Sequence, residues 1–243
     1  MKKRIVLIVM MLLVTAYLAV AFTLFNHRPI GVSSGEVKIV ISDSTGTCFI
    51  TSSEVARLLK RAGLYPSGGL VDSVKCHDIE KELEKSVFIE RAECFKTPSS
   101  DVCIHIVQRL PVLRILSLSG EDYYVDENGK TMPGGGHAVH LPVATGHISR
   151  TLAEGVLHEF ALLLRDDSFW SRQIEQIYVT SEGELELVPR VGEHILFLGK
   201  PVHLREKLDR LRTFYDKGLS RVGWDKYSRI SVEFDNQVIC KRR

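Results

Sequence analysis

Residues 89–113 read IERAECFKTPSSDVCIHIVQRLPVL, and the fold turns on this stretch. Val102, Ile104 and Ile106 alternate strictly with their neighbours up to Gln108, the period-two pattern of a strand with one buried face. Ile89 to Phe95 forms a preceding strand, and Thr97-Pro98-Ser99-Ser100 between them is a polar turn. Pro111 marks a boundary or kink. The same alternation turns Cys103 away from the Val102 face, whereas Cys94 shares the inward face with Ala92. The two thiols then point apart, which a disulfide does not tolerate. The chain has five cysteines, Cys48, Cys76, Cys94, Cys103 and Cys240. An odd number cannot all pair within one chain, and they read mostly as small buried apolar side chains.

Toward the N-terminus, Ile79 and Leu83 mark one face of a helix around Asp78 to Lys85. Thr51-Ser52-Ser53-Glu54 is a capping box, followed by Val55, Leu58, Leu59 and Ala62 at helical spacing. Gly63 ends that helix, with Lys60 and Arg61 at its negative end. Val37, Ile39 and Ile41 alternate as a first strand. The order strand, helix, helix, strand, strand over residues 36–110 suits a small α+β unit. Residues 26–35 read as a linker.

Ile5 to Phe25 is uncharged: IVLIVMMLLVTAYLAVAFTLF. As a helix it would span roughly 30 Å, the thickness of a bilayer's hydrocarbon core. Lys2, Lys3 and Arg4 precede it and only Arg28 follows closely, so the positive-inside rule leaves residues 1–4 as a cytoplasmic head and carries the rest across. Ala19-Val20-Ala21 offers a competing reading, a cleaved signal peptide. The run continues through Phe22, Leu24 and Phe25, which favours an uncleaved anchor over 5–25. Setting aside the three head cations, the 32 basic and 30 acidic residues come within one of each other. Nucleic-acid binding needs a clustered basic field, so this balance argues against it.

Beyond Pro111 the pattern is mixed. Tyr123-Tyr124-Val125 and Thr131-Met132 flank Asp126-Glu127-Asn128-Gly129, a hairpin turn. Thr151-x-x-Glu154 is a second capping box, with Leu152, Val156, Phe160 and Leu164 at i+4 steps. Ile177/Val179 and Leu185/Leu187 bracket a Ser-Glu-Gly turn. Ile195 to Leu198 is an apolar strand ending at Gly199, and Leu204, Leu208, Leu211 and Tyr215 form a helix face. Ile230, Val232 and Phe234 alternate with Ser231, Glu233 and Asp235 as a last strand. Residues 111–243 thus read as a larger mixed α/β domain with a mainly antiparallel sheet.

Catalytic and metal signatures are weak. His137-x-x-His140 with His147 nearby lies in a glycine-rich segment without carboxylate or thiolate, so a solvated loop outweighs zinc. Asp126-x-Asn128-Gly129 resembles the start of a calcium loop, but the remaining ligands are missing. There is no G-x-S-x-G, S-x-x-K, P-loop or G-x-G-x-x-G. No catalytic, metal or cofactor residue is assigned, and no enzymatic activity or cofactor is expected. A membrane-anchored hydrolase would require a concave site with converging His, Ser and carboxylates.

The order of these elements resembles the FtsQ/DivIB cell-division family. Ile89-x-x-Ala92-x-Cys94 stands where that family's polypeptide-transport-associated (POTRA) domain has Val-x-x-Ala-x-Val. Val102-x-Ile104-x-Ile106-x-Gln108-x-x-Pro111-x-Leu113 follows its Leu-x-Ile-x-Val-x-Glu-x-x-Pro-x-Ala, departing at Gln108, Leu113 and Cys94. Val125-Asp126-Glu127-Asn128-Gly129 matches Val-Asp-x-x-Gly, and Ile195-x-x-x-Gly199 with Lys207-Leu208-x-x-Leu211 resembles the second domain. The resemblance implies a bitopic scaffold without enzymatic activity: a POTRA domain near the inner membrane and a distal FtsQ-type β domain in the periplasm at the septum. It implies as partners FtsB-like and FtsL-like coiled-coil division proteins and septal peptidoglycan synthesis proteins of the FtsW and FtsI type, captured by β-strand addition at the last strand. Phe234-Asp235-Asn236-Gln237 stands where the family has a Tyr-Asp-Ser-Gly-like stretch, so the implied docking residues are Ile230, Val232, Phe234, Asp235, Asn236, Gln237, Val238 and Ile239. The alternative for that strand is an interior position sealed on both sides. A POTRA unit also fits an export or outer-membrane-assembly component, although residues 111–243 are too few for a barrel and contain two helices.

Overall fold

A computed structural model describes residues 2–25, 35–42, 49–66, 68, 70–134 and 140–243. Helix α1 runs Lys2–Phe25 without a break. Its side chains are described over residues 10–22 alone, a length of about 20 Å at 1.5 Å per residue. Among the described residues no helix is long and apolar enough to cross a membrane.

The first folded unit comprises β1 (Val37–Ser42), α2 (Ser52–Arg61), α3 (Cys76–Leu83), β2 (Ile89–Lys96) and β3 (Val102–Gln108). Its sheet has the order β1-β3-β2. β1 lies parallel to β3, with Val37, Ile39 and Ile41 opposite Val102, Ile104 and Ile106, so alternation puts six apolar side chains on one face. Val55 and Leu59 of α2 and Ile79 and Leu83 of α3 close over that face with no solvent exposure. The Thr51 box caps α2 as expected: Glu54 N–H donates to Thr51 Oγ1, and the Thr51 amide donates to Glu54 Oε2 at 2.9 Å. Cys94 is buried beside Ala92, and Cys103 faces the other way, opposite Phe95.

The second unit begins two residues after β3. It holds β4 (Pro111–Ser117), β5 (Asp122–Asp126), β6 (Thr131–Pro133) and β7 (Val143–Gly146). Next come α4 (Arg150–Leu152), a π turn over Ala153–Leu157, α5 (His158–Asp166) and α6 (Trp170–Gln173). β8 (Ile174–Val179), β9 (Leu185–Pro189) and β10 (Ile195–Gly199) follow, then α7 (Leu204–Phe214), a second π turn over Tyr215–Leu219, and α8 (Ser220–Val222). β11 (Tyr227–Ser231) and β12 (Ile239–Arg242) complete the unit. Nine strands make one sheet in the order β12-β11-β10-β9-β8-β7-β4-β5-β6. Pairings β10/β11, β4/β7 and β7/β8 are parallel and the others antiparallel, a mixed sheet of mainly antiparallel character. Parallel steps need crossovers: the α4–α6 segment connects β7 to β8 and the α7–α8 segment connects β10 to β11, whereas the chain passes from β4 to β7 through β5 and β6. These pack Leu157, Phe160, Leu164, Leu208 and Leu211 on the sheet.

Two local expectations require correction. The N-cap before α4 is Ser149, whose Oγ accepts from the Leu152 amide at 3.2 Å. Thr151 already lies inside the helix. The i+4 ladder from Leu152 through Val156 also breaks, because the π turn inserts an extra residue and rotates the buried face onto Ala153 and Leu157.

Among the described residues the two units share no strand pairing, and side chains join them. Asp126 is 1% exposed, and its Oδ2 accepts from Arg109 Nε at 2.7 Å and Nη2 at 2.6 Å. Arg109 Nη1 also donates to the Val87 carbonyl of the first unit. Gln108, in place of the family's Glu, accepts from the Phe49 amide through Oε1 at 3.1 Å. Phe49 and Phe88 of the first unit pack with Tyr124 and Met132 of the second.

Candidate partner-docking edge

The expected last strand is displaced and is not an edge. β11 ends at Ser231, and its register is closed on both sides. On one side Leu196 pairs with Ile230 and Phe197 with Ser231. On the other, Ile230 pairs with Cys240 and Ser231 with Ile239. Ile230 and Val232 are fully buried. They belong to the core and present no bare backbone, which is the interior position weighed from sequence. Just past Ser231 the Val232 amide still donates to the Phe197 carbonyl, and Arg210 Nη2 donates to the Val232 carbonyl. Asn236, at φ +59°, completes the turn, a role its short polar side chain suits.

The edge is β12, which among the described residues pairs with β11 alone. Ser228 Oγ donates to the Lys241 carbonyl, and the Arg243 amide donates to the Lys226 carbonyl. Successive residues of an antiparallel strand direct their backbone groups to opposite sides. Cys240 and Arg242 therefore turn their N–H and C=O groups away from β11. Sequence reasoning missed Cys240, Lys241 and Arg242. The available signal was the Asp235-Asn236 turn pair followed by a second short apolar run, Val238 to Cys240.

The surroundings of this edge are apolar and basic. Phe234 is 53% exposed and Ile239 is 49% exposed. Asp235, Asn236 and Gln237 are exposed in the turn, and Val238 and Cys240 pack on the core. Burial pushes the Cys240 thiol pKa up. Arg243 Nη2 pairs with Glu193 at 2.7 Å. Among the described residues neither Lys241 nor Arg242 has an acidic partner. Between α7, the following π turn and the β11–β12 turn lies a groove of about 620 Å³, lined by Arg210, Phe214, Lys217, Asn236 and Val238 among others.

Two side chains from α7 hold this arrangement. Lys207 is buried, and its Nζ donates to the Leu198 and Lys200 carbonyls, each at 2.8 Å. Burial, followed by the neighbouring Arg210 charge, pushes its pKa down. Arg210 Nη1 reaches Asp235 at 3.3 Å. The opposite edge of the sheet is β6, three residues ending in Pro133. A residue without N–H blunts an edge strand, and β12 is the edge without a proline.

No group of three or more His, Cys, Asp or Glu that could hold a metal occurs among the described residues. His137 lies outside them. Asp126 is occupied by the turn, accepting from the Asn128 and Lys130 amides through Oδ1, and by Arg109.

A family model described as FtsQ/DivIB, C-terminal related matches residues 110–241. One described as a POTRA-like domain matches residues 33–107. No curated protein matches the chain.

Proposed function

This chain belongs to the FtsQ/DivIB, C-terminal related family, and on that premise we propose that it is a division scaffold capturing an extended partner segment along β12. The family places it in cell division. In this reading α1 anchors it in the cytoplasmic membrane, the POTRA-like unit stands next to the bilayer, and the sheet projects outward to the septal machinery. The partners are FtsB-like and FtsL-like coiled-coil proteins, linked in turn to septal peptidoglycan synthesis proteins of the FtsW and FtsI type.

The observation that carries this reading is the open side of β12, where Cys240 and Arg242 face outward beside unneutralised Lys241 and Arg242 side chains. Strand addition supplies affinity through main-chain hydrogen bonds and specificity through alternate side chains. The segment that fits is acidic along one face and apolar opposite Ile239, and its flank lies in the groove beside Phe214. The docking set shifts accordingly: Phe234, Asp235, Asn236, Gln237, Val238 and Ile239 remain as rim and turn, Cys240 to Arg242 form the ladder, and Ile230 and Val232 act from beneath.

The test is co-purification of the coiled-coil partners with the full-length protein in detergent. Arg242→Pro removes an outward amide without touching the β11 ladder, and Lys241→Glu/Arg242→Glu reverses the rim charge. Each is expected to lower capture at least tenfold with the melting temperature unchanged, as is Phe234→Lys to a smaller degree. Undiminished capture by both edge variants sinks the proposal.

A further inference from the structure

The strongest feature outside that edge is a pair of thiols in the POTRA-like unit. Cys76 opens α3, and Cys94 sits on the inward face of β2 beneath it. The two elements are locked in position by Ile79 and Leu83 packing with Ala92 and Cys94 in one core. One turn along from Cys76, and therefore on the same helix face, Glu80 Oε1 accepts from the Cys94 amide at 2.8 Å. That bond holds the Cys76 end of α3 against Cys94. Cys94 is 8% exposed, and Cys76 is half-buried at the rim of the same core. Both are free thiols in this structure. Burial, followed by the nearness of the Cys76 thiol, pushes the Cys94 thiol pKa far up.

We propose that Cys76 and Cys94 form a closable dithiol, a site of disulfide modification that staples α3 to β2. The oxidant is a disulfide of the thiol-exchange class. The Cys76 thiolate, on the more accessible sulfur, attacks one sulfur of the oxidant. A mixed disulfide forms and one thiolate leaves. Cys94 then gives up its proton and attacks Cys76 Sγ, expelling the second thiolate. Two protein thiols become one disulfide, and the oxidant is reduced to two thiols. The high Cys94 pKa makes the second step the slow one, and the negative charge of Glu80 adds to that. Cys103 and Cys240 take no part, because Cys103 lies on the opposite sheet face and Cys240 in the other unit.

Closure is independent of the strand-capture reading. The loop it closes, residues 76–94, contains all of α3 and the first part of β2, and a loop of this size restricts the unfolded chain substantially. The experiment treats the purified full-length protein in detergent with oxidised glutathione, then alkylates it and maps its peptides without reduction. The expected result is a Cys76–Cys94 cross-linked peptide as the main product, with Cys103 and Cys240 still alkylated. Oxidation should also raise the melting temperature by about 5 °C or more, a rise abolished by Cys76→Ser and, separately, by Cys94→Ala. Glu80→Gln, which keeps an acceptor for the Cys94 amide, is expected to quicken closure at fixed pH. Separate glutathione adducts on Cys76 and Cys94, or a cross-link that mainly involves Cys103, overturns the proposal. So does a cross-linked product without a higher melting temperature.

Discussion

His194 carries the clearest single-residue signature. Its ring is 1% exposed, Nε2 sits 2.6 Å from Tyr215 Oη, and Nδ1 is buried without a partner. Tyr215 meets it edge-on, and Trp224 lies tilted against it. Burial, then the charge of Arg243, pushes its pKa below the ordinary histidine value, with Asp225 opposing. The folded protein therefore binds fewer protons than the unfolded chain in the window between the two pKa values. Stability is full above about pH 6.5, the unfolded value, and is lost as pH falls through the depressed folded value. Urea midpoints at pH 7.5 and 5.5 should show the loss, and His194→Phe should flatten it. An unchanged slope in that variant would remove histidine from the account. Nothing local in the sequence separates His194 from the exposed His140 or His147, because its burial is created by residues twenty to thirty positions away. Lys207 is the same case: among charged neighbours on a helix it reads as solvated, and the fold buries it on two carbonyls.

At the level of elements, strands were legible wherever one face meets a core. The 102–106 alternation, the hairpin at Asp126 to Gly129 and the strand pair at 174–189 stand where periodicity puts them. Helix boundaries were less so. Ser149 and Thr151 both have capping chemistry, and the choice between them depends on where the preceding strand releases the chain. Ser149→Ala is expected to cost about 1 kcal/mol, as a lost cap does, and Thr151→Ala less than about 0.5 kcal/mol, as at an exposed site. Chemical denaturation of both variants distinguishes them, and equal losses would restore Thr151 as the cap. The π turns escaped notice for a related reason. Each contains a glycine, Gly155 or Gly218, but a helical glycine signals no particular insertion. The final hairpin was half legible. Alternation from Ile230 to Phe234 implied one strand, whereas pairing with β10 ends at Phe197 and Ser231 although β10 itself runs on to Gly199.

On the scale of the whole molecule, the joint between the two units is built like a core. Asp126 and Arg109 form an ion pair with little exposure, flanked by the Phe49, Tyr124 and Met132 cluster. Removing one partner of a buried pair leaves the other charge uncompensated, at a cost of about 3–5 kcal/mol. Asp126→Asn is therefore expected to lower stability by several kcal/mol and to broaden the distance distribution between spin labels placed on α2 and α7. A distribution as narrow as the parent's would mean that the apolar cluster alone fixes the angle. Alternation within each unit was visible in the sequence on either side of Pro111. The ion pair that joins them was not, because it links Arg109 to a residue seventeen positions on.

The order of the nine strands makes the second unit a ruler. β6 lies at the joint and β12 at the far margin, eight steps away, which at about 4.8 Å per step is roughly 40 Å. In the proposed reading, a segment added to that margin would sit roughly that far from the joint with the POTRA-like unit. Adding or deleting a strand pair between the two would change the height at which assembly occurs without altering what is bound.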